Sequence, residues 1–371
     1  MGAYYIIAGE ASGDLHGSNL IKELHKLDAV ANIRCWGGDL MQAAGATLVK
    51  HYRDLAFMGF LEVVIHLKTI LNNIKFCKED IAQFKPDVII FIDYPGFNLR
   101  ITEWAKQQGF KTVFYISPQV WAWKENRVPK MKSTIDKMLV ILPFEKEYYK
   151  KRWHWDVEYV GHPLVKVIEQ EKLKPVAERI SNKEIIALLP GSRKQEILKK
   201  LPIMLEASKN FPQYQFVVGQ APGQEDIFYK SILQPYSNIS SVSNQTYNLL
   251  KQARAALVTS GTATLETALF GVPEVVCYKS SNISYQIAKR LIKIKYISLV
   301  NLIMDKLVVK ELIQNDLTAE NLSHELNELL TNSARQQQLK DDYAALKRLL
   351  SAGGDASATA AKSIYNFVNG N

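Results

Sequence analysis

Two loops in the second half of this 371-residue chain carry residue types suited to holding a diphosphate. In "EIIALLPGSRKQEI", Gly191, Ser192 and Arg193 follow an apolar run and precede a helical pattern. Gly191 lets a backbone approach closely, Ser192 can cap or donate, and the Arg193 guanidinium can fork onto phosphate oxygens. "VTSGTATLE" repeats the arrangement, with Ser260, Gly261 and Thr262 offering N–H and O–H donors at a helix start. Glu266 lies further into that helix, where a carboxylate can accept from ribose hydroxyls. Either loop alone also fits an ordinary capped turn. Both at strand ends of one sheet mark the edge where open α/β sheets bind ligands, and point to a nucleotide diphosphate.

The first half opens on "YYIIAGEASGDLHG", a strand, a glycine turn and a helix whose Glu10 and Asp14 have the wrong sign for phosphate. They suit a hydroxyl-rich partner as hydrogen-bond acceptors, with Gly9 and Gly13 allowing close approach. The competing role is helix capping by Ser12 or Asp14. Asp93 ends the buried run "DVIIFID". Desolvation at a strand end raises a carboxyl toward the range of a general base, although a structural cap of the next turn fits the same spacing. Asn98 and Arg100 follow closely and can order Asp93 or meet a phosphate. Trp121 and Trp123 in "ISPQVWAW" read as packing residues ahead of ligand stacking.

The elements that must position these residues are short apolar runs alternating with helical patterns. "YYIIAG", "DVIIFID", "KTVFYIS" and "KMLVILP" form one strand series; "EIIALLPGSR", "YQFVVG", "AALVTSGTA" and "EVVCY" form a second. Continuous apolar character fits parallel strands covered on both faces, so the class is α/β, with two Rossmann-like doubly wound domains facing a cleft. The polar stretch 165–184 reads as the junction. Residues 1–170 are expected to form an acceptor domain and 171–350 a nucleotide domain, with a C-terminal helix in 351–371 packing back on the first. No Walker A, G-x-G-x-x-G or G-x-S-x-G pattern stands at these strand ends, and no histidine and carboxylate cluster has metal-ligand spacing.

Composition is ordinary for a globular protein, at 47% hydrophobic and 22% charged residues. Cys35, Cys77 and Cys277 suit neither a disulfide framework nor a zinc site, which points to a reducing cytoplasm. The start of the sequence lacks a signal-peptide pattern, and no run of about 18 apolar residues could span a bilayer. A net charge of +9 favours an anionic partner. The stretches 56–76, 145–155 and 285–296 mix cations with apolar residues, as a membrane-surface protein would; each also fits a plain packed or surface helix. Nucleic acid is not expected, since RNA-module signatures are lacking.

"AGEASGDLHG", "LAFMGFLEVV", "KPDVIIFIDYPGFN", "ISPQVWAW", "LPFEKEYY", "YVGHPL", "LLPGSR", "SGTATLE" and "YISLVNLI" occur in order from residue 8 to residue 303. Together they resemble the lipid-A-disaccharide synthases, inverting glycosyltransferases of the GT-B architecture. The resemblance implies that UDP-2,3-diacylglucosamine is joined to 2,3-diacylglucosamine 1-phosphate (lipid X), releasing UDP and forming a β-1′,6 link. It also implies a peripheral enzyme on the cytoplasmic face of a Gram-negative inner membrane, without metal or cofactor, and a homodimer exchanging C-terminal segments. By the same resemblance Asp93 is the base, Glu10 belongs to the active cleft, and Arg193 and Asn301 serve UDP or catalysis. Glu266 matches the ribose-binding carboxylate of GT-B enzymes. One departure is Gly96, where many members carry a second aspartate.

Overall fold

The computed structural model of the chain describes residues 2–55, 67–221, 224–281, 285–286, 290 and 294–370. Two compact units emerge: Met1–Pro163 with Leu350–Asn371, and Leu164–Leu349. Of the stretches expected to face a membrane, residues 56–66 and six of the twelve in 285–296 lie outside the described residues.

The first unit is built on seven parallel strands: β1 (Ala3–Ala8), β2 (Asn32–Gly37), β3 (Thr47–His51), β4 (Val88–Ile92), β5 (Lys111–Tyr115), β6 (Lys137–Val140) and β7 (Glu158–Tyr159). Their order across the sheet is β3-β2-β1-β4-β5-β6-β7. Side-chain alternation divides the central strands between two cores. Tyr5, Ile7, Ile89, Phe91 and Phe114 enter one, while Tyr4, Ile6, Val88, Ile90 and Tyr115 enter the other. Both faces are therefore apolar, which accounts for the unbroken hydrophobic runs. Helix α1 (Ala11–Leu27) covers the second face. The C-terminal helix Ala356–Asn369 packs beside it, burying Ala360, Ala361 and Ile364 in the same core.

The second unit repeats the plan with β8 (Ile185–Leu189), β9 (Gln215–Gln220), β10 (Ile239–Ser243), β11 (Ala253–Thr259), β12 (Glu274–Tyr278) and β13 (Lys310–Ile313). The order is β10-β9-β8-β11-β12-β13, again all parallel. In both sheets the strand order reverses once, between β1 and β4 and between β8 and β11. A crevice at the carboxyl ends of the strands forms at such a reversal.

The segment 145–155 lies mostly in the helix Pro143–Trp153. Its aromatics do not form an outward apolar face: Tyr149 and Trp155 are buried in the first core, and Tyr148 and Trp153 pack against it. The residues left exposed are polar or charged: Lys146, Glu147, Lys150, Lys151, Arg152 and His154. No helix among the described residues is long and apolar enough to cross a membrane.

Candidate active site

The reversal between β1 and β4 places Glu10 and Asp93 at neighbouring strand ends. Glu10 is the exposed residue capping α1 in extended conformation. Asp93 follows β4 and is half-buried. Asp93 and Tyr94 both have left-handed backbones, with φ of 44° and 48°. Each such non-glycine residue costs about 1–2 kcal/mol, so the turn must be held by its surroundings. The buried Asn98 does this, its Nδ2 donating to the Asp93 carbonyl at 2.7 Å. The Asp93 N–H meanwhile donates to the Tyr115 carbonyl at 3.1 Å, extending the ladder to β5. Burial and, after it, the negative charge of Glu10 raise the Asp93 carboxyl to about 6, with the Tyr94 N–H opposing both. This is a carboxyl that exchanges its proton near neutrality, the property a general base needs.

Two residues expected at this site have other tasks. Asp14 is buried, and its carboxylate accepts from the N–H groups of Gly38 at 2.8 Å, Met41 at 3.0 Å and Leu40 at 3.2 Å. It therefore caps the helix α2 (Asp39–Ala43), with both oxygens engaged by backbone N–H groups. Gly9 does permit a close approach, but of protein: a Cβ there would stand 2.2 Å from the Tyr94 ring. Gly96, by contrast, faces open space. Arg100 is exposed on the helix Pro95–Gln107.

The loop after β5 is fastened to one face of the helix Pro143–Trp153. Ser117 Oγ and Tyr149 Oη lie 2.6 Å apart. The Trp121 indole N–H donates to Glu145 Oε1 at 3.1 Å, and Tyr148 Oη donates to Glu125 Oε1 at 2.9 Å. Glu145 is fully buried and its other oxygen accepts from the Leu142 N–H at 3.0 Å. Burial raises Glu145 to about 8 against these hydrogen bonds. A glutamate at the third position of a helix is the sequence signal for this role. Trp121 packs edge-on against Phe144, whereas Trp123 stands 48% exposed beneath the Lys124 ammonium.

In the second unit the reversal between β8 and β11 opens a cavity of about 440 Å³. Gly191, Ser192 and Arg193 line it from the β8 loop; Ser260, Gly261, Thr262 and Glu266 line it from the β11 loop and the helix that follows. The helices Lys194–Ser208 and Thr262–Phe270 both begin here, so their free N–H groups and positive dipole ends converge on one space. Gly191 has φ +121°, and a Cβ on it would meet Glu196 Oε2 at 2.8 Å. Gly261 has φ +143° with open space around it. Arg193 is exposed, with Glu196 3.9 Å away. Glu266 accepts from the Tyr247 hydroxyl at 2.8 Å, and burial raises its carboxyl.

Asn301 lies elsewhere. It is fully buried on the short helix Leu299–Met304, and its side-chain amide is spent within the protein. Nδ2 donates to the Val309 carbonyl and to Glu311 Oε1, both at 2.8 Å; Oδ1 accepts from the N–H groups of Val308 and Val309. Glu311 in turn accepts from the Ile297 N–H, and the Ile297 carbonyl accepts from Ser260 Oγ at 2.8 Å. Asn301 thus reaches the cavity only through Glu311, Ile297 and Ser260.

Two residues near the cavity were missed in the sequence. Lys200 is only 3% exposed, and its ammonium donates to Thr259 Oγ1 and lies 4.0 Å from Glu196. Burial lowers its pKa. Nothing in "ILKKLP" distinguishes it from neighbouring surface lysines. Gln220 ends β9 and lines the cavity, with Oε1 buried and unpartnered. A polar residue closing an apolar strand, as Asp93 does, was the usable signal.

Residues 4–364 match the family model described as lipid-A-disaccharide synthetase. Among curated relatives, the lipid-A-disaccharide synthase of Syntrophus aciditrophicus is 37% identical over 365 residues, covering 96% of this chain and 95% of the relative. Those of Geobacter metallireducens and Coxiella burnetii are each 35% identical, covering 94% and 98% of this chain and 93% and 98% of their own. Among solved structures, UDP-GlcNAc 2-epimerase from Neisseria meningitidis, bound to UDP-GlcNAc, superposes with TM-score 0.67 at 13% identity, covering all of both chains. The calicheamicin glycosyltransferase superposes with TM-score 0.63 at 15% identity, over 100% of this chain and 98% of its own. These structural likenesses concern the fold. The sequence matches carry the identity: this chain belongs to the lipid-A-disaccharide synthase family, the glycosyltransferases of lipid A biosynthesis.

Proposed function

We propose that the chain transfers the diacylglucosaminyl group of UDP-2,3-diacylglucosamine to the 6-hydroxyl of 2,3-diacylglucosamine 1-phosphate in one inverting displacement. Asp93 accepts the hydroxyl proton as the oxygen attacks the anomeric carbon. The bond from that carbon to the diphosphate oxygen breaks, and UDP departs with the electron pair. Arg193 and the N–H groups at Ser260–Thr262 hold the departing diphosphate, while Glu266 accepts from the ribose. One well-placed donor of this sort is worth about 3–4 kcal/mol. Both substrates are acylated, which assigns the reaction to a membrane surface.

The observation that carries this reading is Asp93: a half-buried carboxyl at the strand-order reversal, raised to about 6 by burial and Glu10. The test supplies both substrates to purified protein in mild detergent and reads disaccharide 1-phosphate by mass spectrometry, with UDP binding followed by calorimetry. Product in the wild type, lost in Asp93→Asn with UDP affinity retained, is the expected result. Full turnover in Asp93→Asn would remove Asp93 as the base. UDP binding without product in the wild type would point to a different acceptor.

A further inference from the structure

A second opening in the nucleotide unit lies at the far edge of its sheet, away from the β8 and β11 loops. It has a volume of about 530 Å³ and reaches Ala253, the first residue of β11, and Pro273, just before β12. Small-molecule sites run from about 300 to 1,000 Å³, so the space is adequate for one.

One wall is a single face of the helix Ser333–Ser351: Gln336, Leu339, Lys340, Tyr343, Ala344 and Lys347 recur at helical spacing. Leu339 and Tyr343 on it are buried, while Lys340, Ala344 and Lys347 stand exposed. This face carries two lysines, and Lys172 and Arg254 meet them from other elements. Four cations therefore surround one opening, and Lys172 and Lys347 are close enough to repel. Three of them have partial relief. Lys172 donates to the Leu269 carbonyl at 2.6 Å, Lys347 pairs with Glu169 at 2.7 Å, and Arg254 stands 3.9 Å from Glu184. Lys340 pairs with no carboxylate among the described residues.

Tyr343 lines the floor, its hydroxyl buried beside Glu274. Leu269, Leu329 and Ala344 supply apolar surface alongside.

We propose that this pocket is a second ligand site, taking a phosphomonoester carried on a short apolar body. The phosphate lies among Lys340, Lys347, Lys172 and Arg254, and the hydrocarbon covers Leu269 and Leu329. A dianion offsets the convergent charge, and the apolar part distinguishes the ligand from free phosphate.

Octyl phosphate, below its micellar concentration, is titrated calorimetrically into full-length protein saturated with UDP, so that the cavity at β8 and β11 is already filled. One saturable site is expected, weakened roughly tenfold or more by Lys340→Glu and by Ala344→Trp, which fills the space; tenfold is the loss of one good contact. Both variants should bind UDP as the wild type does, which verifies their fold, and Arg254→Glu serves if either unfolds. Equal affinity in the variants overturns the proposal. So does equally tight binding of inorganic phosphate or of uncharged octyl glucoside, or no saturable binding at millimolar concentration.

Discussion

The indole N–H of Trp121 and the backbone N–H of Leu142 divide the two carboxyl oxygens of Glu145 between them, at 3.1 and 3.0 Å. Glu145 is thereby the buried knot that ties the loop after β5 to the helix Pro143–Trp153, beside the strand end carrying Asp93. Glu145→Ala leaves two donors unpaired and a void, and should cost about 3 kcal/mol in urea unfolding. Glu145→Gln keeps one acceptor and should cost less. Trp121 fluorescence should shift to the red in the alanine variant; an unchanged spectrum would show that the loop holds without Glu145.

Stability should also depend on pH through Glu145. Its folded value of about 8 lies above its ordinary 4.5, so in that window the folded chain binds the proton that the unfolded chain releases. Unfolding free energy therefore falls as pH rises from about 5 to 8. Urea midpoints across this range should slope downward in the wild type and flatten in Glu145→Gln.

On the proposed reaction, kcat/KM should fall off along an acid limb centred near the Asp93 value of about 6. Asp93→Asn should lower kcat by roughly 10²–10⁴, the usual worth of a general base. Glu10→Gln removes the negative neighbour, so the acid limb should move to lower pH. A limb that stays in place would separate Glu10 from the ionisation of Asp93.

Lys200→Met removes the buried ammonium behind Thr259 while keeping most of the volume. Taking a positive charge from behind the diphosphate loops should weaken UDP roughly tenfold, about 1.4 kcal/mol. The melting temperature should change little, because the desolvation cost of the lysine disappears with its contacts. Calorimetric UDP titration beside thermal unfolding checks both halves.

Asn301→Ala strands the N–H groups of Val308 and Val309 in the interior and should destabilise the fold by about 3 kcal/mol. UDP affinity in the folded fraction should fall less than in Arg193→Ala, since Asn301 acts only through Glu311, Ile297 and Ser260. A larger loss than in Arg193→Ala would mean that Asn301 itself meets the ligand.

The two glycine loops that line the second unit's cavity were legible because each is local: strand, glycine, hydroxyl or arginine, and helix start lie within a few residues. The strand order that joins Gly191 to Ser260, and Glu10 to Asp93, follows from the βαβ rhythm. Asp14 was misread because the amides it caps, at Gly38–Met41, belong to another element. Gly9 was misread likewise, its neighbour Tyr94 being distant in sequence. Asn301 looks like a ligand residue in "SLVNLI" until Val308 and Val309 fold back onto it. Lys200 is indistinguishable from solvent-facing lysines in a helix until Thr259 is placed against it. Each misreading concerns a polar side chain whose partner arrives from another stretch of chain.

The first unit owns both ends of the chain, with Leu350–Asn371 joining Met1–Pro163. During synthesis its sheet leaves the ribosome early, yet the core seats of Ala360, Ala361 and Ile364 stay empty until the final residues emerge. The unit made first is thus finished last. The inserted unit has all its strands beforehand, so a chain cut at about residue 350 would hold a complete second unit beside an incomplete first one.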